Sequence, residues 1–230
     1  MKRAIAAALF GACIPSPAQA APITRLPTDE RVVSITFDGC QGPSDTILDD
    51  RIVKLLIERN IPATLFVSGR FVRDHGASLA ELAAHSNIAF ENHSWSHQQD
   101  MRRLSDARIE FEVRRAGEEI ERVTGQRPHY FRFPAGQMDE RSLAAVEGLG
   151  YLVVHWRHPS LDPDPALSAE ELAERMLASV EPGDILVFHI NGRGWRTAEA
   201  LPLILDGLAQ RGYRVVGLRE ALALRDARGD

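Results

Sequence analysis

The sequence predicts an α/β fold on a mostly parallel sheet of about seven strands, and two observations carry that prediction. Short β-branched or apolar runs alternate with helix-like stretches at spacings too long for hairpins. The chemically unusual side chains also fall just after the predicted strands: Asp38, His93 with His97, Arg132 with Pro134, Trp156 with His158, and His189. In parallel α/β folds all strand C-termini open on one face, so residues distant in sequence converge there. The pattern fits either a closed barrel or an open doubly wound sheet.

Along the chain, Met1–Ala20 has the layout of a secretory signal. Lys2 and Arg3 precede an apolar run too short to span a bilayer, and Ala18-Gln19-Ala20 offers a small-x-small cleavage site. A lipoprotein reading at Cys13 fits less well. Residues 21–230 then form one domain, exported to the periplasm or secreted, with no later membrane span. Strands are expected at 32–37, 63–67, 87–90, 130–133, 151–155, 184–189 and 213–216. Helices are expected at 47–59, 78–85, 105–124, 140–149, 169–179 and 197–210. Ser168 with Glu171 forms a capping box, and Gly125, Gly150 and Gly212 stand where helices end in a left-handed residue. The stretch from Pro159 to Pro165 reads as a long loop within the domain.

The net charge of −5 argues against nucleic-acid binding, whose affinity rests on neutralising phosphates. Two of the basic residues and none of the acidic ones lie in the signal, so the remainder is more acidic still. Beyond the signal Cys40 stands alone, so no internal disulfide forms. The oligomeric state stays open.

His93-Ser94-Trp95-Ser96-His97 places two imidazoles at i and i+4, a spacing that on a helical turn puts both on one face to share a cation. With Thr36-Phe37-Asp38, Arg132-Phe133-Pro134-Ala135-Gly136, Trp156 through Asp162, and Ile185-Leu186-Val187-Phe188-His189, the chain resembles the nodulation-type polysaccharide deacetylases, the fourth family of carbohydrate esterases. The flanking Pro62–Val67 and Gly212-Tyr213 fit as well.

The resemblance implies a distorted (β/α) barrel with its site at the strand C-termini. It further implies hydrolytic removal of acetyl groups from N-acetylglucosamine-type units of an envelope or extracellular polysaccharide, with a divalent metal, zinc or cobalt. Carried over, Asp38 is the general base, His93 and His97 are metal ligands, His189 is the general acid, and Arg132 orients Asp38. Leu186 or Val187 lines the pocket for the acetyl methyl, with Pro134, Trp156 and Trp195 as further substrate-contacting candidates. Trp156 is expected in the core and Trp195 at the cleft rim. Asp162 either tunes His189 or Arg132, or is a turn residue.

Two departures stand out. The family's first motif usually carries a second aspartate as third metal ligand, and here that position is Gly39. Asp38 itself, water, or less favourably Cys40 would fill the gap; Asp45, Asp49 and Asp50 read as caps and first-turn charges of the next helix. Pro159 stands where the family often has an aspartate. These departures leave two other readings: a related hydrolase acting on a small non-sugar amide, and a carbohydrate-binding homologue without turnover.

Overall fold

The computed structural model describes residues 21–41 and 47–226. The expected signal segment, with Cys13, and Asp45 lie outside the described residues. Strand β1 (Val32–Gly39) leads to helix α1 (Asp50–Glu58) and β2 (Ala63–Val67). Helices α2 (Gly69–Asp74) and α3 (Gly76–Ala83) precede β3 (Ile88–Asn92), and α4 (Asp106–Thr124) precedes β4 (Tyr130–Phe131). Then follow α5 (Glu140–Glu147), β5 (Leu152–Val153), α6 (Ala169–Ser179), β6 (Ile185–His189), α7 (Thr197–Gln210), β7 (Arg214–Val215) and α8 (Leu218–Asp226).

The strands pair in parallel in the order β5-β4-β3-β2-β1-β6, and β7 pairs with the start of β1. They curl into a half-barrel wrapped by helices, the distorted (β/α) barrel of the expectation. The segment ahead of β1 spans the gap between the edge strands. Ile23 N–H donates to Val153 O at 2.8 Å, His155 N–H to Ile23 O at 2.7 Å, and Leu26 N–H to Gly183 O at 2.7 Å. Backbone groups that an open sheet would leave unpaired are thereby satisfied.

Period-two alternation sorts the side chains into two layers. Val33, Ile35, Phe37, Leu65, Val67, Phe90, Leu186 and Phe188 point outward and pack with Ile52, Leu56, Leu201, Ile204 and Leu208 of α1 and α7. A smaller cluster of Ile23, Leu26, Val32, Phe66, Tyr130, Val154, Ile185, Leu218 and Leu222 forms the barrel floor, so α8 and the N-terminal segment close the bottom. A third cluster ties β4 and β5 to α4 and α5 through Val113, Phe131, Leu143 and Val153. Each fully buried large side chain stabilises by about 1.5–3 kcal/mol through removal from water. The end opposite the floor stays open.

Helix termini follow local chemistry. Ser168 and Glu171 form the reciprocal capping box at α6, and Asp49 caps α1 by accepting from Arg51 N–H. Gly125 ends α4 at φ 68°, a conformation that a side chain would strain.

Candidate active site

A cavity of about 420 Å³ opens at the C-terminal ends of the strands, lined among others by Asp38, His93, His97, Trp156, Val187 and His189. Its chemistry comes in two carboxylate pairs. In the first, Asp38 ends the inward row of β1, and Arg132, just beyond β4, reaches it with Nη1 at 2.8 Å from Oδ1. The same Nη1 donates to Thr36 Oγ1 at 2.9 Å. Arg132 is wholly buried, its guanidinium 4.0 Å from the Phe66 ring centre and 5.5 Å from that of Trp156. Burial pushes the Asp38 carboxyl upward, but Arg132, His93 and His189 outweigh it and bring the pKa down to about 2. One oxygen is thus engaged, while Oδ2 faces His93 Nε2 at 3.7 Å.

In the second pair, His189 Nδ1 lies 2.9 Å from Asp162 Oδ1. Asp162 is held by Ser160 Oγ and Thr197 Oγ1, each donating at 2.7 Å, and its Oδ2 accepts His189 N–H at 2.7 Å. Burial lowers the imidazole's pKa, yet the hydrogen bond and charge of Asp162, with Asp38, raise it on balance above the ordinary histidine value. Nδ1–H is therefore directed at a carboxylate, which leaves Nε2 for the cavity. Asp162 is a partner of His189, not of Arg132.

The two histidines of the paired motif come together, though by a different route from the one expected. Residues 93–97 form no helix: they run through an irregular loop in which Ser94 (φ 66°) and His97 (φ 54°) are left-handed. The rings lie 5.0 Å apart between centres. Asn92 Oδ1 accepts Ser94 N–H, Ser94 Oγ accepts His97 N–H, and Glu112 of α4 takes both the N–H and the hydroxyl of Ser96. The helical-turn expectation failed because these side chains supply the hydrogen bonds that a helix would have made within itself. Apart from Asn60, each described non-glycine residue with positive φ (Ser94, His97, Ala135 and Leu161) sits in a loop at this cavity. Such residues cost about 1–3 kcal/mol each and gather where a site is over-determined.

His93 Nδ1 lies 2.8 Å from the Arg132 carbonyl, an arrangement that fixes the tautomer with Nε2 free. Burial lowers the pKa of both imidazoles, that of His97 to about 3 with His93 adding to the effect, so both are neutral donors at pH 7. Two neutral imidazoles beside a carboxylate oxygen, with His93 Nε2 oriented, suit a divalent cation. Among the described residues, no group of three or more His, Cys, Asp or Glu side chains comes together closely enough to hold an ion. The residues present fit a cation as a two-histidine site with Asp38 alongside. At Gly39 a β-carbon would meet Phe71 Cε1 and Val67 Cγ1, each at 3.1 Å. Cys40 is buried, with Asn191 Nδ2 at 3.2 Å from its sulfur, and burial pushes its thiol up to about 11, which keeps it protonated.

Four contact expectations need correction or placement. Leu186 does not line the cavity: it lies on the outward face of β6 within the helix-packed core, and its neighbour Val187 takes the lining position, as strand alternation requires. Pro134 is buried beside the cavity, whose lining includes Ala135 instead. Trp156, expected in the core, is half-buried, stacks on His155 at 4.0 Å and lines the cavity. Trp195 is 58% exposed and, though anchored through its N–H to Asp162 O at 3.1 Å, lies outside the cavity lining. Glu112, Ser160, Thr197 and Arg193 were missed by sequence reasoning, since only the fold brings them to the site.

The polysaccharide deacetylase family model matches residues 25–154. The chain belongs to the polysaccharide deacetylase family. A peptidoglycan-N-acetylmuramic acid deacetylase of Bacillus subtilis is 26% identical, over 87% of this chain and 75% of its own length. A chitooligosaccharide deacetylase of Rhizobium leguminosarum is 28% identical, over 86% and 94% respectively. A longer bifunctional xylanase/deacetylase of Pseudobutyrivibrio xylanivorans matches at 24% identity, and the match spans 31% of that protein. Among solved structures, a pseudoenzyme of carbohydrate esterase family 4 from Bacillus anthracis is 25% identical at a TM-score of 0.77, covering 88% of this chain and 69% of its own. A mutant of that pseudoenzyme, described as having restored enzymatic activity, aligns at 26% identity and a TM-score of 0.78, covering 88% of this chain and 71% of its own.

Proposed function

We propose that this protein is an exported, metal-dependent deacetylase that hydrolyses the acetamide of N-acetylglucosamine-type units in an envelope or extracellular polysaccharide. The observation that carries the reading is the placement of Asp38, held ionised by Arg132, and His189, its pKa raised by Asp162, on one cavity with the His93–His97 pair. An amide needs a base for water and an acid for the leaving nitrogen, and these two pairs are set to opposite tasks. Asp38 Oδ2 accepts the proton of the attacking water. His189 Nε2–H protonates the departing amine, and the products are acetate and a free amino sugar. Val187 and Trp156 supply apolar walls to the cavity that receives the acetamide. His93 and His97 would hold a divalent cation of the zinc type, which when bound supplies Lewis-acid polarisation of the carbonyl and lowers the pKa of water.

Export rests on the signal-like N-terminus and on relatives whose names refer to peptidoglycan and chitooligosaccharide. No helix among the described residues is long and apolar enough to cross a membrane.

A second reading, a carbohydrate-binding homologue without turnover, is favoured by Gly39 and by the likeness to the pseudoenzyme. Acetate release from N-acetylglucosamine oligomers, with added zinc or cobalt and with a chelator, separates the two. Metal-dependent acetate is the expected result. Oligomer binding with neither bound metal nor acetate would replace the first reading with the second.

A further inference from the structure

Neighbouring residues on a strand point to opposite faces, so two consecutive side chains stack only where the chain leaves strand geometry. That happens at His155, one residue past the bridge between Ile23 and Val154, where its N–H donates to Ile23 O at 2.7 Å. The imidazole lies on the Trp156 indole, with 4.0 Å between ring centres and 27° between planes. Room for the pair comes from Gly136. A β-carbon there would stand 2.7 Å from His155 Cε1, 3.1 Å from its Nε2 and 3.4 Å from Trp156 Cη2, and the backbone is left-handed at φ 67°. Ala135 before it, also left-handed, lines the cavity together with Trp156. The half-buried His155 ring thus packs against both the 134–136 turn and the indole that walls the site.

The indole in turn bears on Arg132. Its ring centre is 5.5 Å from the guanidinium, which also lies 4.0 Å from the ring centre of Phe66. Arg132 Nη1 is spent on Asp38 and Thr36, while Nη2 is buried with no hydrogen-bond partner among the described residues, so the rings share in fixing the guanidinium plane. His155 Nε2 is likewise buried without such a partner among the described residues. Burial, and then the charge of Arg132, bring the imidazole's pKa down to about 4. The ring is therefore neutral at pH 7 and adds no second cation beside the guanidinium. We propose that His155 is a positioning residue: through its stack on Trp156 it fixes the wall that receives the acetylated sugar and the plane of the Arg132 guanidinium that aligns Asp38. This deepens the deacetylase reading of the same cavity and rests on it. A strand-end histidine with no motif around it gave no such signal in the sequence, because the stack depends on the room at Gly136.

The test reads the indole and sugar binding directly, so that turnover is not required. The full chain, isotopically labelled at tryptophan, gives indole NMR signals for Trp95, Trp156 and Trp195, with that of Trp156 assigned by its loss in Trp156→Phe. Calorimetry with the N-acetylglucosamine trisaccharide gives the affinity. In His155→Leu the Trp156 signal should shift and broaden as the ring above it is lost, and affinity should fall about three- to tenfold, the range of an aromatic pair. His155→Phe, which keeps a neutral ring in the stack, should recover most of that affinity. Gly136→Ala, which intrudes on the imidazole from the turn, should reproduce the His155→Leu pattern with both rings present. An unchanged Trp156 signal and affinity in His155→Leu overturns the proposal, as does an equal loss in His155→Leu and His155→Phe that merely tracks their melting temperatures. Acetate release, measured alongside, reports on the deacetylase reading separately: the expected binding pattern without acetate sinks that reading and leaves the stack standing.

Discussion

Asp38 and Glu91 are both buried carboxylates on the inner face of the barrel, each next to an arginine, yet the structure puts them to different uses. Asp38 has one oxygen engaged by a wholly buried guanidinium and the other facing the cavity, and its pKa falls to about 2. Glu91 has both oxygens taken: Oε2 accepts the N–H groups of His129 and Tyr130 at 2.7 and 2.8 Å, and Oε1 the Nε of Arg219 at 2.6 Å. Arg219 is 32% exposed and weakly countered against burial, which pushes Glu91 up to about 7. Glu91 thereby fastens α8 across the floor, with both oxygens committed to structural hydrogen bonds away from the cavity. Burial and a cationic neighbour do not by themselves mark a catalytic acid or base; a free oxygen on a cavity does.

The largest effect expected on the cavity side is from His189→Gln, which removes the proposed acid opposite Asp38. Acetate release should fall about 10²–10⁴-fold, the usual contribution of a positioned acid, with melting little changed. A rate within twofold of the parent would remove His189 from the mechanism.

Asp162→Asn sharpens the account of how that acid is set. Asp162 raises the His189 pKa, so the protonated form, and with it activity, persists below the raised value and is lost as pH rises through it. Without the carboxylate, the alkaline limb of the rate profile should move to lower pH. A limb that stays in place would show that His189 is not the group titrating there.

A smaller effect separates the two faces of β6. Leu186→Ala should lower stability by ~2–5 kcal/mol, as for a buried leucine, while Val187→Ala should change KM for the acetylated oligomer more than it changes melting. The opposite pattern would return Leu186 to the cavity.

What could be read in the sequence were features written in local chemistry. Helices α6 and α7 begin and end where residue patterning places them, because the capping box at Ser168 and the apolar stripe of 197–210 are local signals. The strand-end rule also singled out Asp38, His93, His97, Arg132 and His189, which meet at one cavity apart from Arg132, buried beneath it. Helix α8 and the bridging segment at Ile23–Leu26 were missed, since their order comes from closing the barrel and not from their own patterning. Helix α2 was missed because its Ser68 N-cap makes no side-chain bond and its six residues pack by contact. Arg193 gave no signal because nothing in Asn191–Arg196 tells where the loop lies against Asp162.

The comparison of carboxylates is tested most directly by acetate release per folded molecule in Asp38→Asn beside Glu91→Gln, with the folded fraction taken from thermal melting. Asp38→Asn leaves Arg132 uncompensated and so lowers melting as well, but its rate per folded molecule should drop about 10²–10⁴-fold. Glu91→Gln should lose on the order of 1–3 kcal/mol, the cost of a buried donor without an acceptor, and release acetate within about twofold of the parent. An undiminished rate in Asp38→Asn, or an equal loss of rate in both variants, would contradict the assignment of Asp38 as the base.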